Sequence, residues 1–274
     1  MILRDLLRLV QSELTQGGIE GAARDARLLV AAACDIKPDR LTLEANSDVT
    51  ETMVEMAQDH TKARLSHEPV SRILGRRLFW GRWFDITPDV LDPRGDTETL
   101  IALALEKPFE TALDLGSGSG CIAITIATET SADVVATDIS QAALNVAQHN
   151  ASIHEAQITF QHSDWFDRVE GRFDLIVSNP PYISETEMSD LDPDVALFDP
   201  HIALTPGGDG LLPYREIAAH APKYLTDRGR VLVEIGHKQA RDVMGFFHDA
   251  GFAHVTCHRD LNGKDRVIEA VLTV

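Results

Sequence analysis

The chain has 274 residues, 44% apolar and 25% charged, the mix of a folded globular protein with room for one large and one small domain. Its 43 acidic residues outnumber 25 Lys and Arg, and the net charge of −18 opposes phosphate backbones, which argues against nucleic acid as a partner. No run of about 18 apolar residues is present to cross a membrane, and Met1–Asp5 lacks a signal-peptide pattern, so a cytoplasmic location is expected.

In chain order, the first stretch reads as helices. Leu3, Leu6, Leu7, Val10 and Leu14 recur at helical spacing until Gly17-Gly18, and Ala22–Ala33 is rich in good helix formers. Thr50 is placed to cap a third helix running to about Leu65. Residues 1–70 are therefore expected to form a small helical bundle. Residues 71–87, with aromatic and apolar residues broken by Gly75 and Gly81, predict a connecting hairpin. From residue 88 to 274, strand-like runs (Thr111–Leu115, Asp133–Asp138, Ile158–Gln161, Phe173–Ser178, Gly229–Ile235, Val267–Leu272) alternate with helical patterns such as Ser140–Asn150 and Tyr214–Leu225. That alternation predicts a doubly wound, mostly parallel α/β sheet, with its ligand beyond the carboxyl ends of the strands. Cys34, Cys121 and Cys257 lie far apart, which excludes a disulfide framework or a CxxC metal site; they read as small buried hydrophobes.

Asp114-Leu115-Gly116-Ser117-Gly118-Ser119-Gly120 follows the first of these strands and opens an apolar helix. Its glycines permit a sharp turn and a close backbone approach to a ligand. The GxGxG spacing is one residue shorter than the dinucleotide fingerprint, and no Gly-Lys-Ser/Thr follows. Asp138 ends the next strand about 20 residues on, where nucleotide-binding α/β folds place an acid for ribose hydroxyls. Asp164-Trp165 supplies a carboxylate for an adenine amino group and an indole for its face.

Asn179-Pro180-Pro181-Tyr182 follows Phe173–Ser178 at the same sheet edge. The two prolines fix φ twice and remove two donors, so the Pro180 carbonyl is held rigidly outside a ladder. The Asn179 side-chain oxygen is a second acceptor. Two such acceptors receive both hydrogens of a planar –NH₂ group, while Tyr182 covers its face. An amide or aniline-type nitrogen is a poor nucleophile, and it needs positioning and electrostatic help rather than a covalent intermediate.

With these residues the chain resembles the HemK/PrmC family of release-factor glutamine methyltransferases over nearly its whole length. Further matching segments are Ala203-Leu204, Gly207–Leu211, Tyr214-Arg215, Glu234-Ile235-Gly236 with Gln239, and Asp260–Arg266. The resemblance implies a Rossmann-like methyltransferase sheet preceded by an all-α domain that docks a protein substrate. It also implies S-adenosyl-L-methionine as methyl donor and the glutamine of the GGQ loop of class I peptide chain release factors as acceptor. The cofactor would be held by Asp114, Gly116, Ser117, Gly118, Ser119, Gly120, Asp138, Ile139, Asp164, Trp165 and Asn179. The glutamine amide would sit in Asn179, Pro180, Pro181 and Tyr182, with Arg94, Thr97 and Glu98 also facing the substrate. One departure is Asp92-Pro93-Arg94-Gly95-Asp96-Thr97-Glu98, where the family usually has an apolar residue and then a second proline at the positions of Asp92 and Gly95. Glycine is looser than proline, so added mobility is expected there.

Three other patterns bear on metal, partner and acceptor. His254 and His258 lie on strand-like residues whose spacing does not converge on a metal, and a metal-free enzyme is expected. The arginines of Arg72–Arg82 read as exposed hairpin side chains in preference to an RNA surface. The alternative acceptor is the exocyclic amine of adenine, which also suits the clamp but conflicts with the acidic charge.

Overall fold

Amphipathic periodicity explains the N-terminal elements directly. Helix α1 (Leu3–Gln16) buries Leu3, Leu6, Val10 and Leu14 on one face. It packs with α2 (Ala22–Ala33), α3 (Glu51–Leu65) and the short α4 (Val70–Leu74) around Leu29, Val30 and Ala57. The Thr50 hydroxyl accepts from Met53 N–H at 3.3 Å and starts α3. The structure, a computed structural model, describes residues 1–272; residues 273 and 274, the end of the expected second domain, lie outside the described residues. The chain forms two compact units, one of residues 1–76 with 193–198, the other of 77–192 with the residues from 199 onward. The 193–198 excursion has an electrostatic reason. Arg64, 8% exposed, binds Asp25 at 2.8 Å and Asp194 at 2.9 Å, and a buried guanidinium needs such partners.

In the second unit, β1 (Arg76–Phe79) and β2 (Arg82–Asp85) form a hairpin. Its two turn residues, Trp80 and Gly81, have φ of 48° and 73°, as a two-residue turn matched to strand twist requires. Phe79 and Phe84 are buried against the sheet's core. A 3₁₀ turn over Gly95–Thr97 leads into α5 (Glu98–Leu105). The alternating run is β3 (Thr111–Leu115), α6 (Cys121–Glu129), β4 (Asp133–Asp138), α7 (Gln141–Ile153), β5 (Ile158–His162) and β6 (Phe173–Ser178). It continues through the one-turn helices α8 (Pro193–Ala196) and α9 (His201–Leu204), then α10 (Leu212–Tyr224), β7 (Leu225–Glu234), α11 (Ala240–Asp249), β8 (His254–Arg259) and β9 (Asp265–Val271).

The seven strands are ordered β5-β4-β3-β6-β7-β9-β8. All neighbours are parallel except the pairs made by β9. The chain winds outward from β3 through β4 to β5, then returns to β6 on the other side of β3. The switch point therefore lies between β3 and β6, above their carboxyl ends. Buried apolar runs such as Leu175–Val177 and Val231–Val233 fit strands covered on both faces. β7 begins four residues before the expected Gly229, because Leu225 pairs with Phe173 ahead of a register shift in β6. Cys34 and Cys121 are buried, whereas Cys257 on the outer strand β8 is only half-buried.

Candidate active site

A cavity of about 350 Å³ opens above the carboxyl ends of β3, β4 and β6, within the size range of small-ligand sites. The structure brings Gly116, Ser117, Gly118, Ser119, Asp138, Ile139, Asp164, Trp165, Asn179, Pro181, Arg94 and Thr97 to its wall. Asp114, Gly120, Pro180, Tyr182 and Glu98 stand outside that wall. For Glu98 the reason is plain: its Oε1 accepts the Trp80 N–H at 2.8 Å, so it anchors the hairpin turn instead of facing the cavity. Sequence reasoning missed Cys121, Ile122 and Ala143 on the helices behind the loop and Ile202 with Thr205 opposite. Small and apolar residues of that kind carry no local signal.

The glycine loop is docked by its own backbone. Gly116 and Ser117 N–H both donate to the Thr137 carbonyl at 2.9 Å, and Gly118 N–H donates to Asp138 Oδ2 at 2.9 Å. Asp138 Oδ1 accepts from Ser140 N–H at 2.8 Å, so two backbone donors orient this carboxylate. Gly120 adopts φ +80° where a Cβ would sit 3.0 Å from the Ala147 Cβ, which explains the third glycine. Asn150, fully buried on α7, donates to Ser119 O at 2.9 Å and to Asp85 O at 3.1 Å while accepting from Asp85 N–H, tying loop to hairpin.

Asp114 lies beneath this loop, fully buried, and neither of its oxygens makes a well-formed hydrogen bond among the described residues; Ser117 Oγ is likewise unpartnered. Burial pushes the Asp114 carboxyl up to about 7, with the Ala123 amide opposing and the Asp138 charge adding to the rise. Burial also raises Asp138 above its ordinary range, against the pull of the Ser140 and Gly118 amides. A buried, poorly partnered carboxyl two residues before Gly116 suits a cationic ligand. Trp165 holds φ of +42°, a left-handed conformation that a bulky residue rarely adopts, and it lines the cavity. The Ser163 hydroxyl secures it by donating to Trp165 O at 3.1 Å. S-adenosylmethionine combines a cation, a ribose and an adenine, and the orphaned Asp114 oxygens, the oriented Asp138 carboxylate and the Trp165 indole fit those three parts.

On the β6 side, Asn179 Nδ2 donates to Thr97 Oγ1 at 3.2 Å. Among the described residues no donor reaches the Pro180 carbonyl. Tyr182 is braced from several distant places. Its carbonyl accepts from Gln239 Nε2 at 2.8 Å, and Gln239 Oε1 in turn accepts from Gly236 N–H at 2.9 Å. Ile183 N–H donates to Leu204 O and Glu185 N–H to Gly208 O, both at 3.0 Å. Burial and the Glu234 charge push the Tyr182 phenol up to about 12, so it stays protonated at neutral pH and cannot serve as a base. The turn carrying Thr97 is pinned by Arg94–Asp199 and Asp96–Arg266 ion pairs, each 3.0 Å. Arg266 also binds Asp260 at 3.3 Å and the Ile235 carbonyl at 3.3 Å. The motifs near Gly207, Gly236 and Asp260 thus converge on the support of Asn179–Tyr182.

Gly210 tests that support. It has φ +76°, and an added Cβ would fall against the Tyr182 carbonyl. Gly210→Ala is expected to destabilise the protein by about 2–5 kcal/mol through left-handed strain plus overpacking. Denaturant unfolding measures this; an unchanged midpoint would show that Gly210 is not needed to seat Tyr182.

Known proteins resemble this chain in sequence and in fold. Residues 5–75 match the PrmC N-terminal domain and residues 92–212 the Methyltransferase small domain. The release factor glutamine methyltransferase of Cereibacter sphaeroides is 48% identical over 98% of both chains. That of Rhodospirillum rubrum is 40% identical over 98% of this chain and 85% of its own. A methyltransferase structure from Pyrococcus furiosus shares the fold with a TM-score of 0.57 at 16% identity, covering 72% of this chain and 91% of that one. Among the described residues no helix is long and apolar enough to cross a membrane. The chain belongs to the release factor glutamine methyltransferase family.

Proposed function

We propose that this protein transfers a methyl group from S-adenosylmethionine to the side-chain amide nitrogen of the glutamine in the GGQ loop of class I peptide chain release factors. The observation that carries the reading is an Asn179 side chain on the cavity wall followed directly by a Pro180 carbonyl that no donor engages among the described residues. The reading puts the enzyme in the cytoplasm with its substrate.

S-adenosylmethionine supplies an electrophilic methyl on a sulfonium that departs as a neutral thioether. Asp114 and Asp138 would offer it negative charge and ribose acceptors, and Trp165 would cover its adenine. Asn179 Oδ1 and Pro180 O accept the two amide hydrogens of the glutamine. That draws electron density onto its nitrogen and turns the lone pair toward the methyl. Transfer would form the C–N bond as the donor's C–S bond breaks, with one nitrogen-bound proton passing to water. With Tyr182 held neutral, positioning and fixed dipoles carry the rate enhancement. Glu98 Oε1 holds the Trp80 N–H, which supports the hairpin turn.

Incubation of the purified protein with methyl-labelled cofactor and a cognate release factor is expected to place label on the GGQ glutamine. Label in nucleic acid and none in the release factor would overturn the reading. Asp138→Ala is expected to weaken cofactor binding about tenfold or more by removing the ribose acceptor and the Gly118 tether together. Calorimetric titration reads it, and an unaltered Kd would remove Asp138 from the cofactor site.

A further inference from the structure

Glu234, the last residue of β7, sits behind the clamp at 1% exposure, and its Oε2 has no well-formed hydrogen bond among the described residues. A buried carboxyl so poorly partnered is costly, and an apolar side chain would fill the same space more cheaply. The Thr97 hydroxyl lies near enough to its carboxyl to draw it down, and the same hydroxyl oxygen accepts from Asn179 Nδ2 at 3.2 Å. Its charged and titratable surroundings come from several elements. Arg266 faces it from β9, Arg94 and Asp96 from the 3₁₀ turn segment, Tyr182 from the clamp, Tyr214 from α10 and Cys121 from α6.

We propose that Glu234 is a positioning residue for methyl transfer: through the Thr97 hydroxyl it fixes which end of the Asn179 side-chain amide faces the acceptor nitrogen. The inference rests on the methyl-transfer reading above.

The argument is one of hydrogen-bond polarity. A hydroxyl has a single proton to give. An ionised Glu234 only accepts, so Thr97 donates to it and must accept from Asn179 Nδ2. Asn179 then presents Oδ1, an acceptor, to the glutamine –NH₂. A protonated Glu234 donates to Thr97 instead, which frees the Thr97 proton for Asn179 Oδ1. The amide then turns about and presents its NH₂ group to the substrate's NH₂, donor against donor, and the nitrogen is no longer activated. Burial pushes the Glu234 carboxyl up to about 7, against the pull of Thr97 and Arg266, so the switch between these polarities falls near neutral pH. On this reading the ribose and adenine are taken by Asp138 and Trp165, whose own supports, from Gly118, Ser140 and Ser163, do not run through this chain of bonds.

The test uses the full-length protein with S-adenosylmethionine and a release factor between about pH 5.5 and 8.5. Wild-type kcat is expected to rise nearly tenfold per unit on the acid side and level off above about 7. Glu234→Gln is expected to lose that acid limb and to fall roughly tenfold at pH 8, with cofactor Kd within about threefold of wild type. Thr97→Val should give the same flat, low profile, and Thr97→Ser should restore both rate and acid limb relative to it. In parallel, the wild-type Asn179 side-chain ¹⁵N–¹H signals should shift with the Glu234 carboxyl ¹³C titration, and not shift in Glu234→Gln. An acid limb and kcat retained in Glu234→Gln would overturn the inference. If that variant does not fold, Thr97→Val decides, and wild-type behaviour there overturns it equally. If the wild-type protein labels no release factor at any pH, the functional reading fails. The inference is then decided by the Asn179 signals, and pH-invariant signals would overturn it.

Discussion

Asn179→Ala is expected to lower kcat for methyl transfer by about 10²–10³-fold, the usual loss when one preorganised dipole is removed from a reacting group. Two effects combine. The substituted side chain offers no acceptor to the glutamine amide, which then keeps its delocalised, poorly nucleophilic lone pair. Thr97 also loses the donor it accepts at 3.2 Å, so the pinned 3₁₀ turn faces an unfilled space. Cofactor binding should weaken far less, within about tenfold, because the Gly116–Ser119 loop, Asp138 and Trp165 are held by contacts that do not pass through Asn179. Single-turnover kinetics with saturating cofactor separates the two. A rate within about threefold of wild type would remove Asn179 from the chemistry.

What was legible in the sequence depended on how locally each feature is encoded. The glycine loop and Asp138 could be found because strand ends, left-handed glycines and a helix start leave their marks within a short stretch; the Gly118–Asp138 bond closes that arrangement. Asn179–Tyr182 was visible for the same reason, as a strand followed by two prolines. The supports were not legible by local reasoning. Gln239 reaches Tyr182 across 57 residues, Asn150 reaches Ser119 across 31, and Arg266 meets Asp96 from the far end of the chain. Single polar residues of this kind look like surface until folding buries them. The resemblance flagged the segments near Gly236 and Asp260 without saying what they do, and the bonds from Gln239, Gly236 and Arg266 explain them. Glu98 is the opposite case. It matches the family's pattern yet serves the hairpin turn, because pattern position does not say which neighbour a carboxylate meets. Gly95, where the family usually has proline, needs no special φ and would accept a Cβ without contact, so the 3₁₀ turn's order rests on Arg94–Asp199 and Asp96–Arg266.

Asp114→Asn is expected to make the cofactor-free protein more stable and the complex weaker. Asp114 is fully buried with a carboxyl raised from 3.8 to about 7. A raised acid holds its proton longer in the folded chain than in the unfolded one. Folding stability of the free protein therefore falls as pH climbs from about 4 to about 7, and stays at the lower value above that. At pH 8 the wild type bears the full cost of a poorly partnered buried carboxylate, about 4 kcal/mol, and the amide does not. Glu234, also raised to about 7, contributes to the same pH trend, but it is common to both proteins and cancels in the comparison. Binding runs the other way. The carboxylate's cost is offset only when a cation arrives, so the substitution should raise the cofactor Kd on the order of 100-fold at pH 8. Wild-type affinity should decline as pH falls below about 7, whereas that of Asp114→Asn should depend on pH less steeply. Thermal unfolding with and without cofactor, at pH 6 and pH 8, reads both halves. A variant less stable than wild type at pH 8 would mean that Asp114 is satisfied within the fold. An unchanged Kd would mean that its charge serves something other than the methyl donor.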